Sequence, residues 1–144
     1  MNVLLSIKPQ YVKEIIAGRK KYEFRKSIYK TKNVKKIYIY SSSPEQRIVA
    51  MFTPSEVIED SPVNLWRKYK NNAGISKDDF FNYFENKASG FAISIDFLQI
   101  FPDPINPKDI ISEFTPPQSF QYIKDIWASC HGRWRISNQV GQLS

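Results

Sequence analysis

Cysteine and histidine are almost missing: Cys130 and His131 are the only ones in 144 residues. That excludes a disulfide within the chain and a Cys/His zinc cage built by one chain, and no metal site is expected. A Ser/His/Asp or Cys/His nucleophile resting on His131 has no supporting motif around it. Glycine, with 5 residues, and proline, with 9, are too sparse for a collagen-like or low-complexity chain. No run approaches the roughly 18–20 apolar residues that span a bilayer, and the apolar stretch at Val3–Ile7 is too short for a signal h-region. The expectation is a soluble, cytoplasmic protein without a membrane partner. Acidic side chains are scarce in one place. Residues 1–40 hold only Glu14 and Glu23 against eleven Lys and Arg, a net of +9, while the other 104 residues carry −2.

What is present is enough for one core: 42% hydrophobic and 15% aromatic residues exclude general disorder, and the length fits one domain. The confined basic excess suits a polyanion, because each Lys or Arg that neutralises a phosphate releases condensed counterions. A basic surface serving solubility alone is the plainer alternative.

Val3–Ile7 reads as a buried strand. Pro9 suits the first turn of a helix whose face is Tyr11, Val12, Ile15 and Ile16, and Gly18 supplies a left-handed stop. Tyr22–Arg25 and Lys36–Tyr40 alternate and are rich in rings and β-branched residues, which predicts two strands with a basic loop between them. Another strand runs from Arg47 to Phe52 and continues extended through Ser55–Glu59. Ser61-Pro62 opens a helix with Leu65, Trp66 and Tyr69 on one face, ended by Gly74, and Ser76 opens a second through Phe80, Phe81 and Phe84. Gly90–Asp96 alternates again and extends to Phe101. Pro102, Pro104 and Pro107 then mark a loop, a short helical turn follows Asn106, and Phe120, Ile123 and Ile126 or Trp127 recur at helical spacing in a last helix. Five or six short strands with three or four helices and no regular β-α alternation predict an α+β fold, a small β-barrel with helical insertions.

Gly18-Arg19-Lys20-Lys21-Tyr22-Glu23-Phe24-Arg25 fits G-x-K-x-x-E-x-R at a helix-to-strand junction. Glu23 and Arg25, two apart on a strand, share a face. A carboxylate flanked by cations orients an arginine, holds a lysine, or accepts base N–H donors. A surface salt-bridge ladder is the structural alternative.

With this motif, its preceding helix and the order of elements from Leu4 to about Phe101, the sequence resembles the ASCH domain family of the PUA-like superfamily, in its prokaryotic single-domain form. The resemblance implies a PUA-like barrel over 1–101 with a C-terminal extension over 102–144, its tail frayed from 132. It also implies a cleft beside the first helix, lined by the motif and used for RNA or another nucleic acid, with no cofactor. The expected contacts are Lys20, Lys21, Glu23, Arg25, Lys26, Tyr40, Ser42 and Trp134, with the three motif residues on a partly solvent-open site. One branch resembles amidohydrolases that deacetylate N4-acetylcytidine with the motif lysine, a hydroxyl three residues on and a glutamate in the helical insertion. Lys20 matches the lysine, but Glu23 stands at the hydroxyl position and Ala73 at the glutamate position. If the protein is an enzyme, Lys20 and Glu23 are its expected acid and base, acting on a modified nucleoside or on RNA. A third reading is a regulatory module that takes a small nucleotide-like ligand in the cleft. Trp66 reads as core, and Cys130-His131 as incidental.

Overall fold

The computed structural model describes residues 1–126, and its strands form one curled six-stranded half-barrel sheet. β1 (Asn2–Ile7) leads into α1 (Pro9–Ile16), with Pro9 at the first helical position, where its missing N–H loses nothing. β2 (Tyr22–Arg25), β3 (Lys36–Ser41) and β4 (Arg47–Asp60) follow. Next come α2 (Pro62–Tyr69), capped by the Ser61 hydroxyl, a 3-10 turn at Lys70–Asn72, and α3 (Lys77–Tyr83), capped by Ser76. β5 (Gly90–Ile105) and β6 (Phe120–Ile123) complete the order β2-β5-β4-β3-β1-β6. β1 pairs with β3 in parallel, and every other pairing is antiparallel.

Alternation in the strands splits the core in two. Val3, Leu5, Ile37, Ile39 and Phe52 face α1, whereas Leu4, Tyr38, Tyr40, Ile48 and Met51 face the other way, under Phe101, Ile105, Phe114 and Ile126. A third cluster, Phe24, Leu65, Ala73, Phe80 and Phe84, fastens the α2–α3 insertion to the outside of β2 and β5. Among the described residues no helix is long and apolar enough to cross a membrane.

Two sequence expectations need correction. β5 runs through Pro102 and Pro104 to Ile105 and does not stop at Phe101. The β4–β5 register shifts between the Ala50–Ile100 and Ile48–Ile105 pairs, and neither Pro102 nor Pro104 is a paired position, so residues without an N–H fit there. Phe120–Ile123 is a strand, not a helix. It completes the edge of β1 with Leu5 opposite Phe120 and Asn2 opposite Ile123, and unpaired strand N–H and C=O groups outweigh a weak helical spacing. Its alternation then serves both cores, Phe120 joining the α1 side and Ile123 the opposite side.

Candidate functional site

Gly18, at φ +82°, lets the chain leave α1 abruptly, and the motif turn is then stitched on two sides. The Lys21 N–H donates to the Asn72 carbonyl at 2.8 Å, and the Lys21 carbonyl accepts from the Ile95 N–H at 3.0 Å. Lys20 forms an isolated antiparallel bridge with Ala73. Gly74, at φ +60°, makes this approach possible, because a Cβ there would lie 2.3 Å from the Lys20 Cβ.

Lys20 is therefore 3% exposed. Its Nζ donates to the Ala73 carbonyl at 2.8 Å, lies 3.6 Å from Glu23 Oε1, and sits 4.8 Å from the centre of the Phe24 ring. Burial pushes the ammonium pKa below its ordinary value, with the Glu23 carboxylate opposing. Ala73, the residue expected from the resemblance at a glutamate position, thus lies beside the lysine and meets it through its backbone oxygen.

Glu23 lies opposite Ile93 and shares a face of β2 with Arg25. Arg25 Nη1 is 3.4 Å from Glu23 Oε2, while Nη2 donates to the Ser6 carbonyl at 3.1 Å and the Ser119 carbonyl at 2.7 Å. β2 and β6 are the two ends of the sheet order, so this guanidinium bridges the open seam of the half-barrel. The Ser6 N–H donates to the same Ser119 oxygen at 2.9 Å. The result is one buried polar chain: Ala73 carbonyl, Lys20, Glu23, Arg25, and the carbonyls of Ser6 and Ser119.

Outside this chain, α1, the motif turn and the 71–76 segment enclose an open cleft of about 660 Å³, lined by Tyr11, Glu14, Arg19, Lys21, Asn71 and Asn72 among others. The Tyr11 ring has Lys20 Nζ 5.6 Å from its centre. Arg19 pairs with Glu14 at 2.5 Å and keeps 62% of its side chain exposed.

The expected site residues separate accordingly. Lys20, Glu23 and Arg25 do meet, but with side chains only 2%, 7% and 12% exposed, so the expectation of a solvent-open triad is corrected: the insertion closes over it. Lys21 lines the cleft. Lys26 lies over the Tyr83 ring at 4.7 Å, and its N–H donates to the Tyr83 hydroxyl at 3.2 Å. Tyr40 is a second correction: it is 2% exposed and packs on Phe114 in the core beneath the C-terminal segment. Ser42 is half-buried in the turn after β3, its N–H on the Ile7 carbonyl, and does not line the cleft. Trp127, Cys130, His131 and Trp134 lie outside the described residues. Tyr11, Arg19, Asn71 and Asn72 were not anticipated as lining. Only the Asn71-Asn72-Ala73-Gly74 turn cluster signals them in sequence, because its contact with Lys20 spans 53 positions.

A family model described as "Domain of unknown function (DUF365)" matches residues 1–123. An "ASCH domain-containing ribonuclease" of Zymomonas mobilis is 28% identical over 129 residues, covering 85% of this chain and 84% of the relative. The large ribosomal subunit protein uL22 of Ureaplasma parvum serovar 3 is 31% identical over 102 residues; the match covers 67% of this chain but 32% of that protein. The crystal structure of ASCH from Zymomonas mobilis superposes with a TM-score of 0.79 at 24% identity, covering 94% of each chain. The N-terminal domain of Staphylothermus marinus McrB gives 0.59 at 17% identity, covering 92% of this chain and 93% of that one. The chain belongs to the DUF365 family, and in motif and fold it is an ASCH domain.

Proposed function

We propose that this domain binds RNA in the cleft between α1 and the 71–76 segment. The observation that carries the reading is where the cleft lies: it opens over the motif turn and brings together a ring, two cations and three side-chain amides, from Tyr11, Arg19, Lys21, Gln10, Asn71 and Asn72. Tyr11 offers a surface for stacking, the amides offer donors and acceptors to an unpaired base edge, and Arg19 and Lys21 meet phosphate. The buried Lys20–Glu23–Arg25 chain holds the walls in register and does not itself touch the ligand. The relationship to a protein named a ribonuclease supports RNA as the partner class.

The test is anisotropy of a labelled single-stranded RNA across a salt series. The Arg19→Ala/Lys21→Ala double variant is expected to bind weakly and to lower the salt slope by about 1.4, since each phosphate contact on a single strand contributes roughly 0.7. Unchanged affinity and slope in that variant would sink the cleft assignment.

Catalysis on RNA is the second reading. It is favoured by the lowered pKa of Lys20 beside a carboxylate and by the ribonuclease relative. In the closed arrangement Lys20 Nζ is shut off by the Ala73 carbonyl, so hydrolysis needs the 71–76 segment to move. RNA cleavage that disappears in both Lys20→Met and Glu23→Gln, with RNA binding retained, would establish it. Deacetylation of N4-acetylcytidine is not expected, because Ala73 brings no carboxylate to the lysine.

A further inference from the structure

We infer that the edge of the half-barrel formed by β6 and the β2–β3 loop is a second nucleic-acid contact, which stacks one base of a single-stranded RNA on Tyr122 and takes its phosphates on the surrounding lysines. The inference rests on the RNA reading and extends it to a surface remote in the sheet order from the strands that hold the cleft.

Tyr122 is 42% exposed, yet its ring is fixed on two sides. Its hydroxyl oxygen accepts the N–H groups of Lys30 at 2.8 Å and Thr31 at 3.3 Å. Its ring meets Phe120 edge-on, with centres 5.8 Å apart, and Phe120 meets the buried Tyr29 edge-on at 6.2 Å. A series of rings thus runs from the core to the surface and ends in one whose orientation is already set. Stacking on such a ring forfeits little side-chain freedom, the condition under which an aromatic platform binds well.

The charges around it are predominantly positive. Lys30, Lys32 and Lys35 are exposed along the loop that folds over the Tyr122 hydroxyl. Lys35, Lys36 and Lys124 line a groove of about 580 Å³ together with Tyr122 and Ile123. The acidic residue of that groove, Asp125, is 3.5 Å from Lys36. Cations spaced around a fixed ring match a strand that presents phosphates and bases in alternation. A duplex keeps its bases stacked on one another, so the single strand is the partner that fits.

The cleft and this edge share one mechanical link. The β2–β3 loop leaves the sheet directly after Arg25, and the Arg25 guanidinium holds the Ser119 carbonyl, one residue before β6.

The experiment uses the full chain, a labelled oligouridylate and a salt series. A Lys30→Ala/Lys32→Ala/Lys35→Ala variant is expected to fold normally, because these are exposed charges, and to lower the salt slope by about 2. Tyr122→Ala is expected to weaken binding by roughly 5- to 150-fold, the range for one lost base stack, whereas Tyr122→Phe keeps the ring and most of the affinity. Wild-type affinity and slope in both the triple-lysine and Tyr122→Ala variants, with binding still lost in Arg19→Ala/Lys21→Ala, overturns this inference and leaves the cleft reading standing. The opposite pattern keeps the edge and removes the cleft. Equal dependence on Tyr122 for a duplex of the same length, or equal competition by polyglutamate, also overturns the inference, since neither presents an unstacked base. No RNA binding by the wild type removes both.

Discussion

At the residue scale, the motif's charges are enclosed, and that changes what their substitution does. Exposed charges contribute little to stability, but breaking a buried pair leaves a partner without compensation, at about 3–5 kcal/mol. Lys20→Met, which keeps the stem beside Phe24 and removes the amine, is expected to destabilise the fold by about 2–4 kcal/mol by denaturant unfolding near neutral pH. The sign with pH follows from the lowered pKa. Between the folded value and the ordinary 10.5, the unfolded chain holds a proton that the folded chain has released, so this residue's contribution to stability rises with pH there, and Lys20→Met lacks that rise. Tyr29 acts in the opposite sense. Among the described residues its buried hydroxyl has no hydrogen-bond partner, and burial pushes its pKa up to about 12. As pH climbs from 10.0 through about 12 the unfolded chain loses the proton first, and stability falls. Tyr29→Phe removes an unsatisfied buried group. It should raise stability by about 1 kcal/mol and abolish that alkaline loss; a lower Tm for this variant would show that the hydroxyl is paired. Sequence spacing was enough to put Glu23 and Arg25 on one face. It could not reveal that the motif's charges are buried, because their enclosure comes from Ala73 and Ser119, which lie 53 positions from Lys20 and 94 positions from Arg25.

At the element scale, helices and strands whose boundaries are set by local chemistry were legible, and those set by a remote edge were not. Pro9 and Gly18 bracket α1, and the hydroxyls of Ser61 and Ser76 start α2 and α3, all within a few residues of the structure they control. β6 has no such local signal. Its four residues become a strand because β1 offers an unpaired edge, and Tyr40 turns inward because the segment carrying Phe114 covers its face. Gly74 joins the two kinds of information. Its left-handed φ is a local property, but the need for glycine is doubled by the Lys20 backbone against it, with Cα 2.9 Å from where a Cβ would sit. Gly74→Ala is therefore expected to lower stability by roughly 2–4 kcal/mol, combining backbone strain with overpacking, and to part the 71–76 segment from the motif turn. Faster hydrogen exchange at the Lys21 amide, which donates to Asn72, would report that separation directly. Exchange at the wild-type rate would mean that the cleft wall tolerates the extra carbon.

At the scale of the whole molecule, the net +9 of residues 1–40 is divided between surface and interior. Part of it lines the cleft, part follows the β2–β3 loop to β6, and two of its cations, Lys20 and Arg25, lie inside. A charge count along the chain located the basic region but could not divide it between surface and interior. The interior share also ties the first hundred residues to the C-terminal segment. That segment supplies the sixth strand, the Ser119 carbonyl on which Arg25 closes the seam, and the Ile110, Phe114 and Ile126 side chains over Tyr38 and Tyr40. A chain ending at Phe101 would expose that entire apolar face, leave the outer edge of β1 unpaired, and leave a partly buried guanidinium with fewer acceptors. It is accordingly expected not to form an independent domain. Thermal unfolding of the 1–101 fragment should show no cooperative transition, and its far-UV circular dichroism should lose strand signal beyond the loss of β6 alone. A sharp transition near the full-length Tm would place the seam closure outside the requirements of the fold, and the buried chain from Ala73 to Ser119 would then serve the cleft alone.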